Sequence, residues 1–390
     1  MTEVSRRVRA AEAAFAPVTD FYFRSRYAQR RFEKGVADFT FGNPHEMPLE
    51  GFVSALRDAA IPQDKDWFAY KTSEEQSRDF LAEHVGRELR LTFQPEDFAL
   101  TSGAFGAIAL AFRLVLDAGD EVVFSEPAWF CYEPALLAAD AVPRKVQLDP
   151  VLFDLDLVAI EAAITKRTRM VIVNTPHNPT GRIYDTASLK ALADVLERAS
   201  ARIGRRIFLL SDEPYRRLRF DGRDFTSPAA IYPWTLISYS YGKILLTPGQ
   251  RLGYLALSPL MPDEPRRAIR EATFSAQMAL GWTFPSALMQ HAIPDLEELS
   301  IDQAALARRR DQLLEALIRA GAQPLDPEGT FYLFSRWPQG SDPEVRWNAL
   351  ADHDVFVMPG SILGAPDHFR ISLTASDAMV EKALPAFGDI

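Results

Sequence analysis

Cysteine is nearly absent from this chain: Cys131 is the single one in 390 residues. A disulfide framework is therefore excluded, and the composition suits a reducing compartment. The six histidines are scattered, without the His-x-x-x-His or His-Glu-x-x-His spacing of a metal site, and no Cys-x-x-Cys occurs. No apolar run approaches the roughly eighteen residues of a membrane span, and the N-terminal stretch lacks the apolar core of a signal peptide. Positive charge is in deficit, with 43 Lys and Arg against 53 Asp and Glu, a net charge of −10 that argues against a nucleic-acid surface. Neither Gly-x-Gly-x-x-Gly nor the Walker spacing is present, so a dinucleotide or P-loop site has no support. Internal repeats and low-complexity stretches are missing too.

What is present is ordinary for a globular protein: 47% hydrophobic and 25% charged residues, in a chain long enough for two domains. Residues 5–31 are arginine-rich, but Glu12 and Asp20 interrupt the run. The helical spacing of Val8, Ala11, Phe15 and Val18 predicts an amphipathic helix packed on the body rather than a targeting peptide, and a cytoplasmic location is the default expectation. From about residue 97, short β-branched runs alternate with longer helical patterns, which predicts an α/β fold with a mostly parallel sheet flanked by helices. Strands are expected at 97–100, 121–124, 169–174, 206–210, 234–240 and 252–257, and an Ala-rich helix at 103–116. The last part changes character. Strands near 331–334, 355–357 and 369–373 and helices near 343–351 and 376–386 predict a smaller α+β domain.

Ser240-Tyr-Gly-Lys243, followed eight residues later by Arg251, is the most informative segment. Buried-strand patterns flank it, so Lys243 and Arg251 stand on a connection between core elements, where a charge needs a partner such as phosphate. An amine beside an anion site is what an aldehyde cofactor carrying a phosphate requires. Thr101-Ser102-Gly103-Ala104 opens the Ala-rich helix, and such a helix start offers free N–H groups to an anion. Asn174-Thr-Pro-His-Asn178-Pro-Thr-Gly181 is either a rigid loop or a loop whose Asn178 donates to a phenolic oxygen. Asp212, closing the next strand, is either a helix N-cap or the partner of a ring nitrogen, with Tyr215 three residues on. Trp129, just past a strand end, either fills the core or stacks on a planar ring. Arg370 interrupts the apolar run Phe369 to Leu373, as a buried structural salt bridge or as a fork for a substrate carboxylate.

In this order and at these intervals, Asn178, Asp212, Tyr215, Lys243, Arg251 and Arg370 resemble the class I and II aminotransferases, pyridoxal-phosphate enzymes of fold type I. The resemblance covers nearly the whole chain. It implies a large pyridoxal-phosphate-binding domain over 46–290 with a sheet of the seven-stranded type, and a small domain built from the N-terminal segment 1–45 and from 291–390. By the same resemblance Lys243 would hold the cofactor aldehyde as a Schiff base and afterwards move the proton. Asp212 would pair with the pyridine nitrogen, Asn178 and Tyr215 would hold the ring oxygen, and Trp129 would stack on the ring. Ser102, Gly103, Ala104, Ser240 and Arg251 would form the phosphate cup, and Tyr70 would reach the phosphate of a neighbouring subunit in a homodimer. Phe41-Gly42 would lie over the substrate, with Arg370 on its α-carboxylate.

Three departures accompany the likeness. Thr247 replaces an apolar residue of the lysine signature, and the residues after Tyr70 lack the family's glycine. The arginine that the aspartate-specific branch carries shortly before Thr283-Phe-Pro-Ser is missing from Met278-Ala-Leu-Gly-Trp282. An apolar or aromatic amino donor is therefore expected, unless Arg24 or Arg26 supplies the cation. The resemblance implies transfer of an amino group between an L-amino acid and a 2-oxo acid. A lyase, synthase or oxidase on the same cofactor is the alternative, because one cofactor serves all these reactions. A non-catalytic regulatory module would need a DNA-binding domain, and only about forty residues precede the core, without a helix-turn-helix pattern.

Overall fold

The computed structural model describes residues 3–388. Twelve strands lie among the described residues: β1 (Ala37–Phe39), β2 (Phe98–Thr101), β3 (Glu121–Glu126), β4 (Val142–Gln147), β5 (Thr168–Asn174), β6 (Phe208–Asp212), β7 (Thr235–Ser240), β8 (Gly253–Leu257), β9 (Gln323–Pro324), β10 (Tyr332–Arg336), β11 (Val355–Pro359) and β12 (His368–Ser372). Seven of them form one sheet in the order β2-β8-β7-β6-β5-β3-β4. Within it β3 to β7 run parallel, and β8 is antiparallel to both β2 and β7. This is the mostly parallel, helix-flanked α/β sheet expected from the alternating pattern. Its central strands are apolar on both faces, as Met170 to Val173 and Phe208 to Leu210 illustrate, because helices cover both sides.

A second sheet has the order β1-β11-β12-β10-β9. β1, from the N-terminal part of the chain, pairs in parallel with β11, and the remaining contacts are antiparallel. Packing rather than local pattern recruits β1, which is only three residues long and fully buried.

The observed elements differ from the sequence expectation in two informative places. The N-terminal helix spans Arg6–Arg24, but Val18 and Phe21 are its buried residues, while Val8 is 54% exposed. The anchoring face lies in its second half because Phe21 stacks on Tyr27 at 5.0 Å and meets Trp347 edge-on at 6.0 Å. β4 had no counterpart among the expected strands. Its sequence Val-Pro-Arg-Lys-Val-Gln buries one residue, and as an edge strand it carries the charges that such strands tolerate.

The parallel strands end on one side of the sheet, and their registers set Asn174 beside Asp212 and Asp212 beside Ser238. Polar residues that end separate strands thus share one edge, where ligands bind in open α/β sheets. The second sheet meets that edge through Arg370 of β12, which donates to Asn178 Oδ1 and to the Thr40 carbonyl. Among the described residues no helix is long and apolar enough to cross a membrane.

Candidate active site

A cavity of about 230 Å³ opens where the strand ends of the large sheet face the small one. Lys243, Asp212, Tyr215, Asn178 and Trp129 line it, with Ala104, Ser240 and Arg251 at one end and Phe41, Gly42 and Arg370 at the other. A larger, mostly apolar cavity behind the helix Gly103–Val115 shares only Phe105 with it and holds none of the expected residues.

Lys243 sits in the short helix Tyr241–Ile244 that follows β7. Its Nζ lies 5.7 Å from the Tyr215 ring centroid and 5.9 Å from that of Phe331. Asp212, the last residue of β6, is buried. A turn rather than a helix follows it, so it caps no helix. Its Oδ2 accepts a 2.5 Å hydrogen bond from the Tyr132 hydroxyl, and its Oδ1 is buried without a partner. Burial raises the Asp212 carboxyl to about 6, against the hydrogen bond from Tyr132 and the charge of Lys243.

The Asn174–Gly181 segment is a buried loop whose Asn174 and Asn178 line the cavity. Asn174 donates to the Asp212 carbonyl at 2.8 Å and accepts from the Asn178 N–H at 2.7 Å. Because Asn178 Oδ1 accepts from Arg370 Nη1 at 2.8 Å, its amide nitrogen is the group left to donate to a bound ring. His177 in this loop is driven down to about 3 by burial and is neutral at ordinary pH. Cys131 is pushed up to about 12 by burial, partly opposed by Lys243, so its thiol is not a nucleophile here.

Arg370 is 1% exposed, yet both hydrogen-bond acceptors of its guanidinium, Asn178 Oδ1 and the Thr40 carbonyl, are neutral and its Nε is buried without a partner. A structural salt bridge does not account for it. A buried cation held only by neutral oxygens favours an anion beside it. At the other end, the Arg251 guanidinium donates to the Pro248 carbonyl at 2.7 Å, and desolvation without a counter-ion lowers its pKa. No side chain caps the N-terminus of the helix Gly103–Val115 beside it. Gly103 has φ +77°, and a Cβ there would lie 2.8 Å from Arg251 Nη2, so glycine is what lets the guanidinium close on the helix start.

Not every expected residue reaches the cavity. Ser102 is adjacent to the anion end, but its N–H and hydroxyl both donate to the Thr283 carbonyl, at 3.0 and 3.2 Å. Neither Ser102 nor Gly103 lines the space. Tyr70 is 92% exposed, its ring edge-on to Trp282 at 5.2 Å, on the surface and outside the cavity of its own chain. Trp129 is partly exposed and packs edge-on against Phe105 and Tyr132, facing the cavity instead of filling the core.

Sequence reasoning missed Tyr132, Asn174, Phe105 and Tyr332. Tyr132 stands three residues after Trp129, at the start of the helix Tyr132–Ala138, and that nearness was its only signal. Tyr332 was hidden in a run that reads as strand core.

The donor set fits pyridoxal phosphate, the group implied by the resemblance. Arg251 and the uncapped helix start suit a phosphate, the unpartnered oxygen of Asp212 suits a protonated ring nitrogen, and Lys243 supplies an amine between them. The profile of the family described as aminotransferase class I and II matches residues 34–387. An aspartate/prephenate aminotransferase of Thermus thermophilus is 32% identical over 374 residues, covering 93% of this chain and 92% of the relative. Among solved structures, an aminotransferase from Eubacterium rectale superposes with a TM-score of 0.88 at 28% identity, covering 100% of this chain and 98% of that one. The Thermus thermophilus aspartate aminotransferase with maleate gives 0.82 at 29% identity and covers 100% of both chains. The extent of these matches, on the fold and cavity described above, leads to one conclusion: the chain belongs to the class I and II aminotransferases, and it is a pyridoxal-phosphate-dependent transaminase of fold type I.

Proposed function

We propose that this transaminase prefers L-amino acids with apolar or aromatic side chains as donors and passes the amino group to a 2-oxo acid. The observation that carries the reading is the cavity wall. Phe41, Ala104, Phe105, Trp129 and Phe130 supply an apolar surface, and Lys243, Arg251 and Arg370 are the only cations lining it among the described residues. A second carboxylate on the substrate side chain would be buried there without a partner. The two arginines that could have served lie elsewhere: Arg24 pairs with Asp20 at 2.6 Å, and Arg26 with Asp352 at 2.6 Å. Relatives named for aspartate and prephenate support the opposite preference.

In the proposed arrangement Lys243 is the point of cofactor attachment. Residues 46–290 hold the cofactor, while 1–45 and 291–390 bring Phe41, Gly42 and Arg370 to the substrate. Bound pyridoxal phosphate supplies an electron sink for the bond that breaks at the substrate α-carbon. Asp212, ionised, holds the ring nitrogen protonated. Arg251, Ser240 and the start of the helix Gly103–Val115 fix the phosphate, and Ser102 and Gly103 act through the backbone and through Arg251. Asn178 and Tyr215 hold the ring oxygen, and Trp129 covers the ring face. Arg370 would grip the α-carboxylate and so orient the α-hydrogen toward Lys243, whose Nζ, set free once the substrate amine has taken its place, would accept that proton and return it. Tyr70, exposed on its own chain, is proposed to complete the phosphate site of the second subunit of a homodimer. A cytoplasmic location belongs to the same proposal.

A donor panel tests the preference. Single-turnover absorbance changes of the holoenzyme with phenylalanine, leucine and aspartate should rank the first two above aspartate in kcat/KM. Aspartate ahead by about tenfold or more, roughly 1.4 kcal/mol, would mean that a cation outside this wall serves the second carboxylate.

A further inference from the structure

Tyr332 lines the cavity and has no role in the account above. It opens β10 and pairs with Ser372 of β12, two residues from Arg370 on the same face of the sheet, so Tyr332 and Arg370 are diagonal cross-strand neighbours. The contact is close. The guanidinium carbon of Arg370 lies 3.8 Å from the Tyr332 ring centroid, within the range of a cation stacked on an aromatic face. Three sides of that guanidinium are thereby defined: Asn178 Oδ1 at 2.8 Å, the Thr40 carbonyl at 2.9 Å, and the ring.

The ring is itself held. The Tyr215 ring stands 5.9 Å from it at 71° and the Phe331 ring 4.9 Å from it at 67°. A Cβ on Gly42 would lie 2.8 Å from the Tyr332 hydroxyl oxygen, so a glycine is what allows the Phe41-Gly42 segment to rest there. Burial opposes ionisation of this phenol, but the charges of Arg370 and Lys243 outweigh it and lower its pKa, whereas burial raises that of Tyr215. The Tyr332 oxygen therefore sits in a positive field that favours hydrogen-bond acceptance.

We propose that Tyr332 is a positioning residue for substrate recognition: its ring braces the Arg370 guanidinium so that the free edge of the fork stays aimed at the α-carboxylate. This rests on the proposed role of Arg370. A guanidinium with three fixed sides loses little further freedom when the carboxylate arrives, which strengthens binding of every substrate alike.

The test compares holoenzyme carrying Tyr332→Leu, Tyr332→Phe, Arg370→Ala, or Tyr332→Leu with Arg370→Ala. KM and kcat for phenylalanine are measured together with the calorimetric Kd of 3-phenylpropionate, an unreactive acid without the amine. Tyr332→Leu should raise both KM and Kd by about tenfold, with a smaller fall in kcat. Tyr332→Phe keeps the ring and should leave Kd within about twofold. The double variant should bind no worse than Arg370→Ala alone, since Tyr332 acts through that arginine. Arg370→Ala with an unchanged Kd would remove the carboxylate reading itself. If Arg370→Ala weakens binding but Tyr332→Leu does not, or if the two effects add, the bracing role is overturned and the carboxylate reading stands. Should Tyr332→Leu fail to fold, the Phe variant decides: a tenfold weaker Kd there would place the effect in the hydroxyl and overturn the brace.

Discussion

The hydroxyl of Tyr132 donates to Oδ2 of Asp212 across 2.5 Å, joining residues 80 apart in sequence and leaving the other oxygen of the same carboxylate buried and free. One oxygen is thus fixed by the protein while the other is presented to the cavity. Tyr132 opens the helix Tyr132–Ala138, and its N–H donates to the Trp129 carbonyl at 3.2 Å, so the residue that steadies Asp212 and the residue proposed to cover the ring face are joined by the turn just ahead of that helix.

That relationship sets a pH dependence. Burial raises Asp212 from 3.8 to about 6 in the cofactor-free protein, so the fold favours the protonated carboxyl. Its contribution to stability is complete below 3.8 and is lost as pH rises through about 6. A protonated ring nitrogen needs the ionised carboxylate, so affinity for pyridoxal phosphate should rise between about pH 5 and 7. Tyr132→Phe removes a bond that lowers this pKa and should move the midpoint up by about one unit. Fluorescence titration of cofactor-free protein measures both curves, and coincident midpoints would show that Tyr132 does not govern Asp212.

Lys243 is expected to carry the cofactor. Borohydride should fix it there, and peptide mapping should find the label on Lys243. Lys243→Ala should lower turnover by about 10²–10⁴-fold, the usual contribution of a general base. A label on any other lysine would remove the assignment.

The anion end makes a separate claim. Arg251→Ala should weaken cofactor binding by about ten- to a hundredfold, the size of one charge-assisted contact, without unfolding the chain. Gly103→Ala should mimic it, because φ is +77° at that position and the new Cβ would meet Arg251 Nη2 at 2.8 Å. Cofactor retention on dialysis reads both. If Gly103→Ala keeps its cofactor as the parent does, the helix start and Arg251 do not form one cradle.

Arg370→Ala should raise KM for all amino donors by a similar factor, about ten- to a hundredfold for a lost charge-assisted contact, and leave their ranking unchanged. Arg370→Lys should recover little, since a point charge cannot reproduce the two-toothed fork. A changed ranking between phenylalanine and leucine would place Arg370 at the side chain and not at the carboxylate.

Much of this site was legible before any coordinates. Asn178, Asp212, Lys243 and Arg370 stand out in the sequence because polar or charged residues interrupt or end apolar runs, and burying such groups has a cost that demands a reason. The parallel sheet was legible for the same reason, since strands covered on both faces are continuous apolar runs. β4 was not, because an edge strand with one buried residue has no such run. Tyr132 and Tyr332 stayed hidden because a tyrosine in an apolar helix or strand looks like core, and only a neighbour in space reveals what its hydroxyl or ring is for.

The sequence by itself determined the alternation of strands and helices, the order of the reactive residues and the scarcity of cysteine, all of which are properties of near neighbours in the chain. Which residues meet was decided by the tertiary structure alone. Arg370 reaches Asn178 from 192 positions away and lies over Tyr332 because two strands of the small sheet pair in a single register. Ser102 lies beside the anion end but spends its hydroxyl on Thr283, a distinction no local pattern could carry. Register, sheet order and the approach of two sheets are fixed by the burial of surfaces distant in sequence, and the geometry of the cavity follows from them.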